Sequence, residues 1–188
     1  LRQIGASEAD PELYGKIASS ILYLNPALRA SANIILKNQR GQSSLWSYSI
    51  SGDLPIVLLE ISGSENITLV KQFMKAQAYW HMKGLAVDIV ILNEDPSGYR
   101  QILQDQIQGI IAAGIDTTTT TEKKGRIFVR PIDQVSTEDL ILLQAVARVV
   151  FSDAKGTLED QVNKRLTTKP PVAKLIPSRL FAVTNQKI

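Results

Sequence analysis

The sequence of 188 residues contains no cysteine. Disulfide bonds, thiol nucleophiles and cysteine-ligated metal sites are therefore excluded, and the composition suits a reducing compartment. Long apolar runs are also missing, because no stretch approaches the roughly 18 residues that a membrane-spanning helix needs. The N-terminus lacks the basic region and hydrophobic core of a signal peptide. We expect a soluble chain that does not span a membrane.

Charge of one sign is not concentrated anywhere in the chain. The 21 basic and 18 acidic residues leave a formal net charge of +3, and the longest basic run is Lys123-Lys124. A nucleic-acid partner needs a clustered basic surface, so this class of function is excluded. Neither Ser62-Gly63-Ser64 nor Pro96-Ser97-Gly98 has the spacing of a dinucleotide or nucleoside triphosphate site. We therefore expect no cofactor.

Three short apolar runs, separated by helical patterns, dominate what the sequence does contain. They cover residues 55–61, 85–92 and 126–130 and are bounded largely by glycine, proline and serine. A strand that is covered on both faces need not alternate polar and apolar residues, so these runs predict buried strands. Helical crossovers between them predict parallel pairing. The predicted fold class is α/β, with a small, mostly parallel sheet of at least three strands, β-α-β crossovers, helices on its faces and a helical N-terminal extension.

The first forty residues are predicted to be helical. A first helix ends at Asn25-Pro26, because the residue before a proline is pushed out of the helical conformation. The alternation over residues 45–50 predicts an edge strand or an extended lead-in. Between these two segments, a second helix is predicted over residues 26–38, with four apolar residues on its buried side: Leu28, Ile34, Ile35 and Leu36.

Capping residues mark two later helices. Asn66 is predicted to cap the N-terminus of a helix that ends at Gly84, the residue best suited to a left-handed position. Ser136 and Asp139 form a predicted capping pair for a helix that continues through Val150.

The chain divides into three predicted parts. Residues 1–44 form the helical N-terminal extension and its loop, residues 45–166 form the α/β domain, and residues 167–188 form an extended linker that contains prolines. The chain begins with Leu1 and not with methionine. Together with the linker, this start predicts a fragment of a longer polypeptide.

A ligand site is expected at the carboxyl ends of the strands, where loops and helix N-termini converge in an open parallel sheet. Asn93, Glu94 and Asp95 lie there, and Tyr99 follows close behind. A pair of carboxylates beside an amide can perform acid-base chemistry or hold a divalent cation. The structural alternative is that Asp95 caps the next helix and Glu94 is solvated. We assign these four residues to ligand binding and assign no catalytic residue or metal ligand.

Aromatic residues also leave two alternatives open. Trp46, Tyr48, Trp80 and Tyr99 could stack on sugar rings, or they could be buried in a core or an interface. Trp80 lies on the apolar face of its helix and is expected in the core. Trp46 and Tyr48 flank a loop, and together with the turn residue Asp53 they form the predicted interaction surface.

Two single residues need separate interpretation. Asp88 interrupts an apolar strand, so if it faces inward it needs an arginine or a backbone donor as its partner. His81 is the only histidine, and no second histidine or cysteine exists to form a catalytic or metal motif with it. We expect His81 at the surface or facing the end of its helix.

Five segments carry the most specific pattern in the chain: NPALR at 25–29, RGQSSLW at 40–46, ISGDLPI at 50–56, YWHMKGLAVD at 79–88 and LNE at 92–94. In this order they resemble a segment of bacterial cyclic β-1,2-glucan synthases. The resemblance covers most of the chain, roughly residues 18–165. The five threonines at 117–121 depart from the family pattern and are predicted to form a variable surface loop.

The resemblance implies a very large inner-membrane protein that polymerises glucose from UDP-glucose and carries a cytoplasmic glycoside phosphorylase-like region. The matching segment resembles an α/β insert of that phosphorylase-like half. The family's catalytic motifs are not found in it, so no catalytic residue is carried over. The implied location is cytoplasmic, as a soluble part of the membrane protein, and the implied partners are neighbouring domains of the same polypeptide.

Two functions follow from this resemblance. The first is a non-catalytic structural or interaction module that contacts neighbouring domains through the surface around Trp46. The alternative is a domain that binds or processes β-1,2-glucan at the carboxyl ends of the strands, using Glu94, Asp95 and Tyr99.

Overall fold

The computed structural model describes residues 10–95, 100–114 and 125–164. Within these ranges, four strands form one sheet and seven α-helices surround it. Three predicted features lie outside the described residues: Tyr99, the threonine run at 117–121 and the linker at 167–188. The predicted boundaries between the three parts of the chain, at residues 44 and 166, stay predictions.

The strands are β1 (Ile56–Ile61), β2 (Asp88–Asn93), β3 (Ile127–Pro131) and β4 (Val149–Ser152). The helices are α1 (Asp10–Tyr23), α2 (Ala32–Lys37), α3 (Ser43–Trp46), α4 (Ile67–Met82), α5 (Arg100–Gly114), α6 (Thr137–Val146) and α7 (Leu158–Asn163).

The sheet is entirely parallel and has the strand order β3-β2-β1-β4. Ile56 of β1 lies opposite Asp88 of β2, and Val57 lies opposite Val149 of β4. The α/β fold class, the parallel sheet of at least three strands and the helical N-terminal segment are thus confirmed. Because all four strands run the same way, their carboxyl ends meet at one edge.

The two central strands are buried on both faces, which explains their unbroken apolar runs. Alternate residues of β1 enter two different cores, since successive side chains of a strand point to opposite faces. Val57 and Leu59 enter the core formed with α1, α4, α5 and α7. Ile56 and Leu58 enter the core formed with α6 and the segment around α3.

Trp80 is the largest side chain in the first core and has no exposed surface. Its indole Nε1 donates a hydrogen bond of 2.8 Å to the backbone carbonyl of Tyr14 in α1. Phe73 and Phe151 meet edge to face in the same core, with ring centroids 5.1 Å apart. The N-terminal helix therefore shares the core of the sheet, and the predicted core position of Trp80 is confirmed.

One helix prediction is wrong at its C-terminal end. The helix that begins with the Ser136 cap ends at Val146, and residues Val149–Ser152 form the fourth strand. Val146, Ala147 and Val150 fit helical spacing, but Val149-Val150-Phe151 is also a β-branched and aromatic run that suits a buried strand. Pairing with β1 decides between these two structures.

Residues 45–50 do not form the predicted strand or extended lead-in. Ser43–Trp46 is a single helical turn, and Leu45 donates its amide to the carbonyl of Gln42 at 2.9 Å. Of these six residues, only Leu45 and Ile50 are buried, and they are five positions apart in the sequence. Ser49, which lies between them, adopts a positive φ of 63°. β1 already pairs with β2 on one side and with β4 on the other, so residues 45–50 cannot pair with β1 as a further strand.

Two smaller predictions in the helices also fail. The second helix spans only Ala32–Lys37, and Leu36 is 82% exposed although Leu28, before the helix, is buried. Asn66 precedes α4 but makes no capping hydrogen bond, because its side chain bonds Asp153 instead. Gly84, by contrast, has the predicted left-handed conformation, with φ of 79°.

The predicted Ser136 and Asp139 pair is confirmed at the start of α6. Ser136 Oγ accepts from the Asp139 backbone amide at 3.1 Å and donates to Asp139 Oδ2 at 2.8 Å.

We expect Ser136→Ala to lower the free energy of unfolding by about 1 kcal/mol, because the first turn of α6 loses its cap. Urea unfolding measures the change. Ser136→Thr should restore most of the loss, and an equal loss in both variants would contradict the capping role.

Hydrogen bonds occupy backbone groups at both outer strands of the sheet, β4 and β3. On the β4 side, the amide of Val150 donates to the carbonyl of Leu28 at 2.6 Å. On the β3 side, Arg130 Nη1 donates to the carbonyl of Val129 at 2.8 Å, and Arg130 Nη2 donates to the carbonyl of Tyr48 at 2.6 Å. The segments before α2 and after α3 are thereby fixed to the sheet. In the described part of the chain, no helix combines the length and the apolar character needed to cross a membrane.

Candidate functional site

The carboxyl ends of three strands bring acidic and amide side chains together at one edge of the sheet. Asn93 ends β2 and Glu94 follows it, while Asp153 directly follows β4. The amide of Glu94 donates to the carbonyl of Ile61 at 2.7 Å, which fixes the exit of β2 against the end of β1. Glu60 lies one residue before Ile61. We call this region the carboxyl edge.

Asp153 holds the loop after β1. Its Oδ2 atom accepts from the backbone amides of Ser62 at 2.8 Å and Gly63 at 3.3 Å. The Ser62 hydroxyl lies 3.0 Å from both carboxylate oxygens, and Asn66 Nδ2 donates to Oδ2 at 3.2 Å. Both oxygens therefore contact the loop between β1 and α4, and Asp153 links the ends of β1 and β4.

Asn93 and Asp95, two of the predicted ligand-binding residues, are buried. Asn93 is fully buried and Asp95 is only 6% exposed. Asn93 Oδ1 accepts from the backbone amide of Asp95 at 3.2 Å, and Asn93 Nδ2 donates to Gln104 Oε1 of α5 at 3.4 Å. These bonds shape the turn after β2 and connect it to α5. Tyr99, the fourth predicted ligand-binding residue, lies outside the described residues.

Glu94 is half-buried and faces other carboxylates. Burial raises the pKa of its carboxyl group, and the nearby charges of Glu60 and Asp153 raise this pKa further. Glu60 itself accepts a hydrogen bond of 2.8 Å from Gln144 Nε2 of α6. Glu94 is therefore both partly accessible and destabilised in its ionised form.

We expect Glu94→Gln to stabilise the protein at neutral pH. The folded-state pKa of Glu94 is raised above the unfolded value of about 4.3, so its ionisation costs folding free energy. This cost is absent below the unfolded value, develops as the pH rises through the folded-state pKa, and is complete above it. Urea unfolding at several pH values should show the variant and the natural protein equal near pH 3.5 and the variant more stable at pH 7.

Glu65→Gln makes the same change at an exposed carboxylate and serves as the control. A stability difference for Glu94→Gln that is the same at all pH values would contradict the role of ionisation.

The predicted interaction surface lies on a different part of the molecule, at the turn between α3 and β1. Trp46 is 63% exposed, and its Nε1 donates to the carbonyl of Ser51 at 3.3 Å. Gln42 Nε2 donates to the same carbonyl at 2.8 Å and lies 3.5 Å from Oδ1 of the exposed Asp53. We call Trp46, Gln42, Ser51 and Asp53 the Trp46 corner.

The turn requires a glycine at position 52. Gly52 adopts φ of 77°, and a Cβ placed there would lie 3.0 to 3.1 Å from atoms of Gln42 and Leu45. A side chain at this position would be strained by conformation and crowded by both neighbours. The exposed Trp46 ring is bonded to this turn through Ser51.

Tyr48 is less available than its predicted role requires. It is half-buried, and its hydroxyl donates to Asp139 Oδ2 at 2.9 Å. Burial and this hydrogen bond raise the pKa of Tyr48. Tyr48 therefore connects the loop to α6.

Asp88 and His81 have the structural roles that the sequence predicts. Asp88 is buried, and its Oδ1 accepts from the backbone amide of Arg126 at 2.9 Å, which confirms a backbone donor as its partner. Burial raises its pKa. His81 is exposed near the end of α4. Over residues 10–95, 100–114 and 125–164, no three histidine or acidic side chains are grouped so as to hold a metal ion.

The sequence interpretation missed Asp153 and Gln42. Asp153 follows a strand that was predicted as helix, so its place at the carboxyl edge could not be derived from the pattern. Gln42 lies in a predicted polar loop, where nothing indicates that its amide contacts a turn nine residues later.

Comparisons with known proteins give one curated relative and no matching family model. The chain is 27% identical over 162 residues to the cyclic beta-(1,2)-glucan synthase NdvB of Rhizobium meliloti (strain 1021). The alignment covers 86% of this chain but only 6% of the relative, so the chain spans a small part of that protein's length. The chain is therefore homologous to one short segment of a cyclic β-(1,2)-glucan synthase, as its sequence motifs predict.

Proposed function

We propose that this chain is a non-catalytic structural module of a cyclic β-1,2-glucan synthase. It belongs to the cytoplasmic glycoside phosphorylase-like half of a polypeptide that makes β-1,2-glucan from UDP-glucose, and it contacts neighbouring domains of that polypeptide. The observation that carries this proposal is the Trp46 corner, where a large aromatic ring is exposed yet fixed by its own hydrogen bond. The similarity to a short segment of a much longer synthase supports it.

The chemistry of the carboxyl edge supports a non-catalytic role. Asp153 accepts four different donors from the loop after β1, and Glu60 accepts from Gln144. Asn93 binds the turn that contains Asp95. A general acid or base must reach substrate with a free oxygen, and a nucleophile needs an adjacent base. Most polar groups of this edge are instead used to join strands and loops.

The Trp46 corner has the properties of an interface anchor. Tryptophan is enriched at the energetic centres of protein interfaces because it buries a large area at a small entropic cost. The bond from Trp46 Nε1 to the carbonyl of Ser51 favours one orientation of the ring and so reduces that cost further. Gln42 and Asp53 supply a polar rim beside the ring.

The test compares Trp46→Ala in two settings, the isolated chain and the full-length synthase that contains it. In the isolated chain we expect a change of less than about 0.5 kcal/mol in unfolding free energy, because the ring is exposed. In the synthase we expect a lower melting temperature and faster proteolysis at the segment boundaries. Met82→Ala, which removes another exposed apolar side chain from the end of α4, is the matched control. Equal effects of Trp46→Ala and Met82→Ala in the synthase would refute the proposal.

The alternative function is a glucan site at the carboxyl edge that uses Glu94, Asp95 and Tyr99. Partial exposure of Glu94 favours it, but the burial of Asp95 leaves little of that carboxylate for a sugar. Titration of the chain with linear and cyclic β-1,2-glucan, followed by NMR, separates the two functions. Shifts confined to residues 93–99 would support the alternative, and no shift up to millimolar glucan would remove it.

A further inference from the structure

The C-terminal end of α1 exposes three consecutive apolar residues. Leu22 is 56% exposed, Tyr23 is 81% exposed and Leu24 is 42% exposed. Single apolar side chains on a surface are ordinary, but a contiguous group marks a surface that another segment covers. Leu24 also has a positive φ of 56°, so the helix ends abruptly here and turns toward Asn25. This patch is distant in the fold from the Trp46 corner, which packs on the other face of the sheet.

An open groove of about 520 Å³ lies directly beside this patch. One wall comes from α1 and the turn after it, and the other comes from the end of α7. Lys16 Nζ donates to Asn163 Oδ1 at 3.5 Å, which joins the two walls at one point. The groove is lined by Lys16, Ser20, Asn25, Ala27, Val162, Asn163 and Lys164.

We propose that the groove and the α1 patch are a docking site for residues 165–188 of the same chain. Lys164, the last described residue before this segment, itself lines the groove. Its φ of −64° and ψ of 114° direct the chain out of α7 with extended backbone. The segment therefore follows directly from a residue that lines the groove, so little loop-closure entropy would oppose its binding there.

The composition of residues 165–188 fits this surface. An extended chain covers about 3.3 Å per residue, so the eight residues from Lys164 to Val172 can reach about 26 Å, more than the length of α1. Three prolines limit the conformations that the free segment can adopt and reduce the cost of ordering it. After Pro170-Pro171 the segment carries large apolar residues that can cover the patch, among them Val172, Leu175, Ile176, Leu180, Phe181 and Val183.

Charge does not select this occupant. Residues 165–188 contain five basic residues and no acidic residue. The first turn of α1 carries Asp10 and Glu12, and the first turn of α7 carries Glu159 and Asp160. None of these four carboxylates lines the groove, Glu12 is already paired with Lys16 at 2.9 Å, and the charged residues that line the groove are Lys16 and Lys164. The position of Lys164 and the apolar residues of the segment, and not charge, favour this occupant. This proposal does not depend on the function proposed above.

Paramagnetic relaxation enhancement in the full chain tests the proposal. The natural sequence has no cysteine, so Tyr23→Cys provides a single site for a nitroxide label. We expect at least a twofold loss of amide signal intensity for residues 172–183. Ser19→Cys, an exposed position on α1, places a second label near the groove while the patch stays intact. Leu36→Cys is the control, because Leu36 is 82% exposed on α2, which packs against α6 on the other side of the sheet.

Three results would overturn the proposal. The first is no broadening beyond residue 168 with either α1 label, and the second is equal broadening with the Leu36→Cys label. The third is broadening that appears only between chains, in a mixture of labelled chains and ¹⁵N-labelled chains, because the patch would then bind a second copy. Leu175→Ser with Ile176→Ser changes no described residue, and we expect it to restore the signals of residues 178–183.

Discussion

Replacement of Trp80 by alanine is expected to lower the free energy of unfolding by about 3–5 kcal/mol. The side chain has no exposed surface and lies among α1, α4 and the sheet, so its removal leaves a cavity that the neighbours cannot fill. The substitution also leaves the carbonyl of Tyr14 without its 2.8 Å donor. Equilibrium unfolding in urea, followed by circular dichroism because the fluorescence of one tryptophan is lost, measures the change.

The second tryptophan provides the matched control. Trp46→Ala removes the same side chain from an exposed position and should change the stability of the isolated chain by less than about 0.5 kcal/mol. Trp80→Phe keeps most of the apolar volume and removes the donor, so it should fall between the natural protein and Trp80→Ala. Similar losses for Trp46→Ala and Trp80→Ala would contradict the described core.

Replacement of Asp153 by alanine is expected to cost about 2–3 kcal/mol. A hydrogen bond to a charged group contributes about 1.5–3 kcal/mol to stability. The contributions of the several donors to Asp153 do not simply add, because Ser62 is exposed to solvent. The amides of Ser62 and Gly63 and the side chain of Asn66 would all lose their acceptor. Urea unfolding gives the loss in stability, and amide hydrogen exchange should accelerate first at residues 62–66.

Asp153→Asn separates the geometry of this link from its charge. The amide keeps one acceptor oxygen, so we expect a smaller loss than in Asp153→Ala. Both variants should also lower the pKa of Glu94, because the charge of Asp153 contributes to raising it. NMR titration of the Glu94 carboxyl group would show this shift, and an unchanged titration curve in both variants would contradict the coupling across the carboxyl edge.

The central strands could be predicted because their signal is local and strong. Residues 55–61 and 85–92 are apolar apart from Glu60 and Asp88, and such short runs, bounded by turn residues, are typical of strands covered on both faces. The placement of Asn93 and Glu94 at one edge followed from parallel pairing alone. These inferences need no knowledge of which side chains touch.

The errors occurred where tertiary contacts override local preference. Residues 149–152 fit the spacing of a continuing helix, and only pairing with β1 makes them a strand. Residues 45–50 alternate as a strand would, but β4 already occupies the position next to β1. Leu36 fits a helical face, yet that face has no neighbour to bury it.

The two candidate sites also depend on tertiary contacts that local sequence patterns do not predict. The carboxyl edge depends on Asp153, which lies 91 residues from Ser62 along the chain, and no local pattern predicts that contact. Trp46 was assigned to an interaction surface, but the bond that orients its ring depends on the positive φ of Ser49 and Gly52, which no local pattern predicts. Tyr48 was predicted beside Trp46, and its hydroxyl instead bonds Asp139 of α6, which is 91 residues away.

The contacts at the two outer strands determine how this sheet behaves toward other chains. An exposed strand edge invites a strand from a second molecule, which is a common first step in aggregation. Here the amide of Val150 is already bonded to Leu28, the carbonyl of Val129 is bonded to Arg130, and Pro131 has no amide hydrogen to donate. Among the described residues, neither outer strand offers an uninterrupted row of backbone partners. Both outer strands are therefore protected against pairing with a strand of a second molecule.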